Sequence, residues 1–459
     1  MAKTYRFNAL LTENGWLEQA VVQLDASGNI QSIGTDGVEQ AESVDGYALP
    51  GFQNGHSHAF QYAMAGLSEL HEGTGVPDDF WSWRTAMYDL ALQVSPEHLE
   101  DIAAMLYAEM LRHGYTAVAE FHYLHHDPQG KPYANRAELG ERLIAAAQRA
   151  GIHLTLVPMF YQMGGFGKAA EEKQRRFISS TIEDYHQLLE SSEQAVSQYE
   201  HASLGMGIHS IRAVKAEDIQ QVCQEYSGEK PFHLHISEQL KEVEDSMAFY
   251  GKRPVEWLLD NVELSEHFHL VHATHLNGRE VEGIAQSGAH VVLCPTTEGN
   301  LGDGLFRFAD YQAANGAWSI GTDSHVSLSP LEELRLLDYG QRLITHQRTT
   351  YYRPGQGDSG FNAIRMAWKG GRKAMGQPSD AFFKVGQPFD AVVMDAQTPL
   401  IGSSSLKHLC NTLVYASDVS HLLGTIVSGK WVVKNGQHQQ KEAIVQRFLD
   451  AMADLKSRA

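Results

Sequence analysis

Between residues 49 and 380 the chain alternates apolar, strand-like segments with amphipathic, helix-like segments. This alternation is typical of βα units around a parallel sheet. Eight candidate strands lie near residues 47–54, 116–121, 152–160, 203–209, 231–236, 267–273, 288–294 and 316–322. Parallel strands of this number with intervening helices predict an α/β fold, a (β/α)8 TIM barrel, whose active site lies at the carboxyl ends of the strands.

The two ends of the chain lack this alternation and carry short strand-like segments separated by turn residues. Near the amino end, the segments Lys3 to Leu11, Ala20 to Leu24 and Asn29 to Gly34 predict a small antiparallel sheet. Near the other end, residues 386–395 and 425–436 are also strand-like. We expect the two sets of strands to complete one sheet domain.

The length of the chain also predicts a second domain. Its 459 residues exceed the roughly 250 to 300 residues that a single core usually supports. We expect a small discontinuous β-sandwich domain formed by residues 1–48 and 381–459, which includes a helix near 440–457. The barrel is expected to occupy residues 49–380.

Composition narrows the classes of partner. The chain has 36 Lys and Arg against 56 Asp and Glu, a net charge of −20 and no basic cluster, which argues against nucleic acid or an anionic membrane as a partner. No segment has the length and apolarity of a signal peptide or a membrane span, which predicts a cytoplasmic protein. The cysteines Cys223, Cys294 and Cys410 are widely spaced and are expected to be reduced thiols.

The stretch from Leu49 to His58 ends in two histidines, His56 and His58, separated by one residue. The pair Asn54-Gly55 predicts a tight turn just before them. At strand spacing, residues i and i+2 lie on one face about 6 to 7 Å apart, so both rings can turn toward one metal ion at roughly 2.1 Å. Taken alone, the pair is equally compatible with two solvated histidines in a turn.

Further polar side chains follow the later candidate strands. They are Glu120, His122 and Tyr123 at the second strand, His209 and Arg212 at the fourth, His233, His235 and Glu238 at the fifth, His269 and His272 at the sixth, and Asp323 and His325 at the eighth. Barrel strands end on one rim, so these side chains are expected to lie together. Titratable groups cluster at functional sites, and we favour that interpretation over purely structural strand ends.

Three imidazoles and one carboxylate are the ligand set of a catalytic metal site with an open position for water. His56, His58, His235 and Asp323 are the natural set here, and water bound to such an ion can ionise near neutral pH. Glu238 follows His235 by three residues, so it can stay beside that water and transfer a proton. His272 could orient the electrophile. For Glu238 or His272 singly, a hydrogen-bonding role on the rim is the alternative.

These motifs together resemble the amidohydrolase superfamily, and within it the mononuclear deaminase branch. The resemblance covers nearly the whole chain and implies a barrel of the metal-dependent hydrolase type. Binuclear members carry a bridging lysine after the fourth strand, whereas this chain has His209-Ser-Ile-Arg212 there, which indicates one metal. The family implies one Zn2+ per subunit and a homodimer. Iron or manganese could occupy similar ligands.

Within this branch the chain is most similar to the deiminases that act on N-formimino-L-glutamate in histidine degradation. The similar segments are Gly55 to Gln61, a loop Trp81-Ser-Trp-Arg84, Phe121 to Tyr123 and Gly207 to Arg212. The resemblance implies a dicarboxylate substrate bound by Gln61, Arg84, Tyr123, His209 and Arg212. Because a guanidinium binds a carboxylate through two parallel hydrogen bonds, one arginine per carboxylate is expected. A surface ion pair is the alternative role for each arginine.

The reaction implied by the resemblance is attack of metal-bound hydroxide on the formimino carbon, followed by loss of ammonia to leave N-formyl-L-glutamate. Glu238 would carry the proton to nitrogen, and His272 and Asp323 would help to deprotonate water and hold the intermediate. The division of proton transfer among these three stays open. The alternatives are a related deaminase or chlorohydrolase acting on a purine, pterin or triazine, and a non-catalytic scaffold on the same fold.

Overall fold

The computed structural model describes residues 3–36, 40–67, 80–226, 228, 230–348 and 350–458. The strands in these residues are β1 (Lys3–Thr12), β2 (Gly15–Glu18), β3 (Val21–Leu24), β4 (Ile30–Gly34), β5 (Glu42–Pro50), β6 (Phe52–Ser57), β7 (Tyr115–His122), β8 (His153–Phe160), β9 (Met163–Gly165), β10 (Lys168–Ala169), β11 (Ala202–Leu204), β12 (Met206–Ser210), β13 (Phe232–Ile236), β14 (Phe268–His272), β15 (His290–Leu293), β16 (Ala317–Ile320), β17 (Ala391–Asp395), β18 (Leu422–Val427), β19 (Lys430–Lys434) and β20 (Gln437–His438).

The helices are α1 (Phe80–Gln93), α2 (Pro96–Arg112), α3 (Glu138–Ala150), α4 (Ile182–Val196), α5 (Ala216–Tyr226), α6 (Leu240–Tyr250), α7 (Pro254–Asn261), α8 (Gly278–Ser287), α9 (Pro295–Leu301), α10 (Phe308–Ala313), α11 (Pro330–Thr345), α12 (Ser359–Ala374), α13 (Pro399–Ser403), α14 (Leu406–Ala416) and α15 (Lys441–Arg458). Short 3-10 helices cover Ala59–Met64, Glu172–Gln174 and Val419–His421. Among the described residues, no helix combines the length and apolarity needed to cross a membrane.

Eight parallel strands form the central sheet in the order β16-β15-β14-β13-β12-β8-β7-β6, and β11 pairs with β8 beside this path. The sheet nearly closes, because a parallel bridge joins Ser57, at the end of β6, to Asp323, just after β16. The backbone N–H groups of Thr322 and Asp323 also donate to the carbonyl oxygen of His56, at 3.1 and 3.0 Å. The predicted (β/α)8 barrel is confirmed.

The first barrel strand begins later than predicted. The predicted strand 47–54 spans the end of β5, which belongs to the other sheet, and the start of β6. The predicted turn at Asn54-Gly55 is wrong, since both residues lie within β6. A Cβ on Gly55 would lie 2.9 Å from Ser319 Oγ, so this glycine permits close packing across the barrel rather than a turn. His56 therefore lies on the strand itself.

Helix α2 illustrates how local sequence sets an element boundary. The Ser95 hydroxyl accepts from the backbone N–H of His98 at 3.1 Å, and Pro96 occupies the first turn. The helix ends at Arg112, and Gly114 follows with φ 95° in the left-handed region. The predicted strand near residues 116–121 follows this helix and is confirmed, with its start at Tyr115.

A second sheet contains strands from both ends of the chain, in the order β20-β19-β18-β17-β5-β1-β3-β4, with β2 paired to β1. It is mixed rather than antiparallel, because β1 and β5 pair in parallel. Tyr5 on β1 contacts Trp431 on β19 at 6.3 Å between ring centroids, although three strands separate them in the sheet. The sheet therefore curls around its own apolar core, as expected for a sandwich.

The predicted domain limits at residues 48/49 and 380/381 remain a prediction. Strand β5 continues to Pro50 before the barrel begins at Phe52. On the other side, β17 begins at Ala391. The carboxyl-terminal helix α15 packs on the barrel helix α2, where His98 Nε2 lies 2.8 Å from Asp454 Oδ2.

Three buried histidines lie side by side near the amino ends of adjacent barrel strands. His233 on β13 is in register with His269 on β14, which is in register with His290 on β15. The His233 Nε2–H donates to the carbonyl oxygen of Ala374 at 2.8 Å. His233 and His269 were expected at the carboxyl rim, and that placement is wrong. Both lie three residues before the strand end, toward the opposite end of the barrel.

This histidine row predicts loss of stability in mild acid. Burial lowers the pKa of His233 and of His290 to about 4, whereas an unfolded histidine titrates near 6.5. The folded protein thus binds fewer protons than the unfolded chain, and the free energy of unfolding should decrease as the pH falls from about 6.5 to about 4. The loss should be on the order of 3 kcal/mol per histidine, measurable by urea unfolding at several pH values.

A pair of variants isolates this contribution. His233→Gln keeps an N–H donor but removes the titrating group, so stability should depend less on pH than in the wild type. His408→Gln, at an exposed position on α14, is the matched control and should leave the pH dependence unchanged. Equal pH dependence in all three proteins would contradict this explanation.

Candidate active site

Four ligand atoms from three separate parts of the barrel converge at its carboxyl rim. His56 Nε2 lies 3.1 Å from His58 Nε2 and 3.1 Å from His235 Nε2. Asp323 Oδ1 lies 3.3 Å from His56 Nε2 and 3.2 Å from His58 Nε2. All four atoms lie within 4.8 Å of one another. Ligands about 2.0 to 2.2 Å from one tetrahedral ion would be roughly 3.3 to 3.6 Å apart.

Backbone and side-chain contacts position this cluster. The His58 Nδ1–H donates to the carbonyl oxygen of Phe121 at 2.9 Å, which leaves Nε2 as the lone-pair donor toward the cluster. The buried Asn54 amide donates to Thr322 Oγ1 at 2.7 Å and its oxygen accepts from the Thr322 N–H at 3.1 Å. Asp323 has φ 46°, an uncommon conformation for a non-glycine residue, held beside the first strand by these bonds.

The protonation states of His56, His235 and Asp323 suit a cation. Burial lowers the pKa of His56 to about 3 and the pKa of His235 well below its usual value, so both rings are neutral. Burial opposes ionisation of Asp323, but the His56 and His58 rings beside its carboxylate hold its pKa well below its usual value. Neutral imidazole lone pairs and one carboxylate directed at one point fit a divalent transition-metal ion.

His272 lies beside this cluster, surrounded by carboxyl groups. Its Nε2 lies 3.8 Å from Glu238 Oε1 and 3.9 Å from Asp323 Oδ2, and its Nδ1 lies 3.4 Å from Glu298 Oε1. Burial alone would lower the pKa of His272, but Glu238, Glu298 and Asp323 together raise it to about 10. Burial raises the pKa of Glu238, against the charges of His272 and Arg212. The site therefore holds exchangeable protons next to the ligand cluster.

A cavity of about 490 Å3 extends from the metal ligands and is lined by the predicted substrate-binding residues. Its walls include the ligands His58, His235 and Asp323, the proton-transfer candidates Glu238 and His272, the predicted contacts Gln61, Arg84, Tyr123, His209 and Arg212, and the apolar or aromatic residues Phe80, Trp83, Met87, Tyr88, Tyr161, Phe177 and Leu301. Every predicted site residue except His56 lines this cavity. His56 belongs to the ligand cluster but is not part of the cavity wall.

The two arginines differ in their surroundings. Arg212 is 9% exposed, and its Nη1 pairs with Glu242 Oε2 at 2.9 Å while its Nη2 lies 3.9 Å from Glu238 Oε2. Arg84 Nη2 lies 3.7 Å from Glu171 Oε1. The segment Trp81–Arg84, predicted as a loop, forms the first turn of α1. The side chain of Trp81 lies outside the described residues.

Some polar residues predicted at the rim serve the scaffold instead of the cavity. The Glu120 carboxylate accepts from Ser57 Oγ at 2.7 Å, from the Ala59 N–H at 2.6 Å and from Tyr107 Oη at 3.1 Å. It therefore braces the segment that carries His56 and His58, and burial raises its pKa to about 7.

The sequence analysis missed three further residues near the site. Glu242 could have been found from its spacing of four residues after Glu238, on the first turn of α6. Glu298 and Gln174 lie in segments with no motif. Glu298 contacts His272 across 26 residues of chain. Gln174 contacts Tyr88 across 86 residues.

Comparison with known proteins places this site in a family. The model of the amidohydrolase family matches residues 47–432. Formimidoylglutamate deiminase of Pseudomonas aeruginosa is 43% identical over 458 residues, which cover 99% of this chain and 100% of that protein. The match thus includes both sheets and the whole cavity.

Solved structures are similar to this chain over nearly its whole length. The crystal structure of an amidohydrolase from Brucella melitensis has a TM-score of 0.91 and 39% identity, and covers 99% of each chain. An adenosine deaminase from Xanthomonas campestris with bound zinc has a TM-score of 0.80 over 99% of this chain and 98% of that one, but its 20% identity shows the fold alone. By sequence over its whole length and by structure, this chain belongs to the amidohydrolase family.

Proposed function

We propose that the protein hydrolyses N-formimino-L-glutamate to N-formyl-L-glutamate and ammonia, as a cytoplasmic homodimer that acts in histidine degradation. The single observation that carries the proposal is the cavity with a His3Asp cluster at its base and two arginines, Arg84 and Arg212, in its walls. A linear amidine with two carboxylates matches both features. The full-length relative from Pseudomonas aeruginosa, a formimidoylglutamate deiminase, supports the same substrate.

His56, His58, His235 and Asp323 would hold one zinc ion per subunit. Such an ion, when bound, lowers the pKa of a coordinated water so that it can ionise near neutral pH. The ligand types also admit iron or manganese, and we propose zinc because imidazole and carboxylate ligands in this number are typical of it.

The cavity walls would orient the substrate. We place one carboxylate at each guanidinium, because the planar donor edges of Arg84 and Arg212 match a carboxylate. Tyr123 Oη accepts from Gln61 Nε2 at 2.9 Å, so the tyrosine proton can be donated to a ligand. The His209 ring lies 5.0 Å from the His235 ring, which puts it between the carboxylate end and the metal ligands. The formimino group would then face Glu238 and His272.

Glu238 and His272 would carry the protons. Addition of water to the formimino carbon gives a tetrahedral carbon, and breaking its bond to the terminal nitrogen releases ammonia, so a proton must move from the water to that nitrogen. Glu238 would accept the proton and deliver it, since burial raises its pKa toward the range in which a carboxyl can do both. His272, held as a cation by its carboxylate neighbours, would donate a hydrogen bond to the negative charge that develops.

The proposal is tested by steady-state ammonia release from a panel of substrates. Metal-loaded protein should give a kcat/KM for N-formimino-L-glutamate at least about 1,000-fold above that for a purine, a pterin or an aminotriazine, because only the dicarboxylate uses both arginines. Higher activity toward a ring substrate would favour the related deaminases or chlorohydrolases. Absence of hydrolysis with the whole panel would favour a non-catalytic scaffold.

Removal of the arginines should weaken substrate binding. Arg84→Met is expected to lower kcat/KM for N-formimino-L-glutamate by about 100-fold, mainly through KM, because a charged, bidentate hydrogen bond is lost. Arg212→Met alone would leave buried Glu242 without its cation, so Arg212→Met combined with Glu242→Gln is the cleaner variant. Steady-state kinetics measure both effects, and an unchanged KM in both proteins would contradict the assigned carboxylate contacts.

A further inference from the structure

A buried glutamine orients two tyrosine hydroxyls at the wall of the cavity. Gln174 is fully buried, and its Oε1 accepts from the backbone N–H of Glu171 at 2.7 Å. This bond fixes the orientation of the amide, so Nε2 is the donor on the other side. Nε2 donates to Tyr88 Oη at 3.0 Å and to Tyr161 Oη at 2.8 Å. Each N–H of the amide thus serves one hydroxyl.

The hydroxyl protons must therefore point elsewhere. Each hydroxyl has a single proton, and both oxygens already accept from Gln174. The two hydroxyl oxygens lie 3.0 and 2.8 Å from the same nitrogen, so at most one of the two protons can be donated to the other hydroxyl. Within the described part of the chain, no further group accepts the remaining hydroxyl proton. Both side chains line the cavity, so that proton is available to a ligand.

Two guanidinium groups lie near the hydroxyl pair. The guanidinium carbon of Arg84 lies 5.3 Å from the centre of the Tyr88 ring. Arg84 and Arg212 both act on the Tyr161 hydroxyl, yet burial keeps its pKa well above the usual value, so it remains a neutral donor. Neutral O–H donors near two guanidinium groups are a favourable environment for a carboxylate.

The hydroxyl pair lies away from the metal ligands. The His209 ring lies 5.0 Å from the His235 ring and 4.4 Å from the Tyr161 ring, centroid to centroid, so it links the metal ligands to the hydroxyl pair. Tyr161, Tyr88 and Gln174 follow beyond His209. A substrate group bound there would be the one most distant from the reacting formimino carbon.

We infer that Tyr88 and Tyr161 bind the side-chain carboxylate of the substrate, and that Gln174 is the positioning residue that directs their hydroxyl protons toward it. This inference rests on the proposed function. In this arrangement the three residues select the length of the substrate. The glutamate derivative reaches the hydroxyl pair, whereas the aspartate derivative, which is shorter by one methylene, does not.

The test compares Tyr161→Phe and Tyr88→Phe with Tyr311→Phe. Tyr311 is fully buried and donates to the carbonyl oxygen of Ala317 at 3.0 Å, outside the cavity, so it is a matched loss of a buried hydroxyl. Tyr161→Phe or Tyr88→Phe should raise KM for N-formimino-L-glutamate by about tenfold or more, with kcat changed by less than about threefold. Tyr311→Phe should change neither constant.

Two further measurements separate recognition from structural support. N-formiminoglycine lacks the distal carboxylate, so its kcat/KM should be the same in wild type and in both cavity variants. Gln174→Glu preserves shape but replaces the N–H donors by an acceptor, which should draw the hydroxyl protons away from the substrate and raise KM for the glutamate derivative. The preference for N-formimino-L-glutamate over N-formimino-L-aspartate should decrease in each of these three variants.

The outcomes are distinguishable. If wild type hydrolyses N-formimino-L-glutamate but the cavity variants behave like Tyr311→Phe, or lose activity equally on N-formiminoglycine, the inference is overturned and the proposed function stands. If wild type does not hydrolyse the glutamate derivative, both are overturned. Should one tyrosine variant fail to fold in a thermal melt, the other tyrosine variant and Gln174→Glu decide the question by the same criteria.

Discussion

His235→Asn should release the metal ion and lower kcat for N-formimino-L-glutamate by about 1,000- to 10,000-fold, because the several kcal/mol that an ion contributes to the transition state are lost with it. His235 Nε2 lies 3.1 Å from His56 Nε2, so removal of this ring opens the ligand cluster. Metal content measured by elemental analysis after dialysis should fall from about one ion per chain to well below one.

The same strand offers a matched control. His233 lies two residues earlier on β13 and donates to the Ala374 carbonyl instead of facing the ligand cluster. His233→Asn removes a buried imidazole from the same strand, so it should cost stability but retain the metal and nearly all of kcat. Equal metal loss in the two variants would mean that the barrel, and not a ligand, had been damaged.

Glu238→Gln is expected to lower kcat by about 100- to 10,000-fold while metal content and KM change little, since it removes the group that we propose transfers the proton but keeps the shape of the side chain. In the wild type, activity should fall in acid as Glu238 becomes protonated. That decrease begins at a higher pH than for an ordinary glutamate, because burial raises the pKa of this carboxyl. Profiles of kcat/KM against pH measure the change.

The control for this variant is Glu333→Gln. Glu333 is a fully buried glutamate on α11 whose carboxylate accepts from the Thr296 N–H at 3.0 Å, and it does not line the cavity. It should retain the kcat and the pH profile of the wild type. A Glu238→Gln protein that kept more than about a tenth of wild-type kcat would exclude the proton-transfer role.

The residues predicted for the metal site were accessible to sequence reasoning because barrel topology relates distant positions. Strand ends meet on one rim, so His56, His58, His235 and Asp323 could be grouped although His56 and Asp323 lie 267 positions apart in the chain. The local conformation was harder to predict. Asn54-Gly55 has a typical turn sequence, but the Asn54 amide bonds to Thr322 and the pair stays in the strand.

Residues that act through tertiary contacts were not predicted. Gln174 belongs to a three-residue 3-10 helix. Its role depends on its contacts with the hydroxyls of Tyr88, on α1, and of Tyr161, which directly follows β8. His233 and His235 have the same residue type on the same strand, yet one lies in the histidine row and the other among the metal ligands. Residue type and spacing alone do not distinguish such positions, because the neighbours come from other strands.

The products formed from N-formimino-L-glutamate test the central claim most directly. Metal-loaded protein incubated with this substrate and followed by NMR should form one N-formyl-L-glutamate and one ammonia for each substrate consumed. In the proposed binding mode, Glu238 and His272 would face the formimino group and the arginines would hold the amino acid. Formation of formamide and glutamate would show that the other carbon–nitrogen bond breaks. That result, or an unchanged substrate spectrum, would contradict the deiminase assignment.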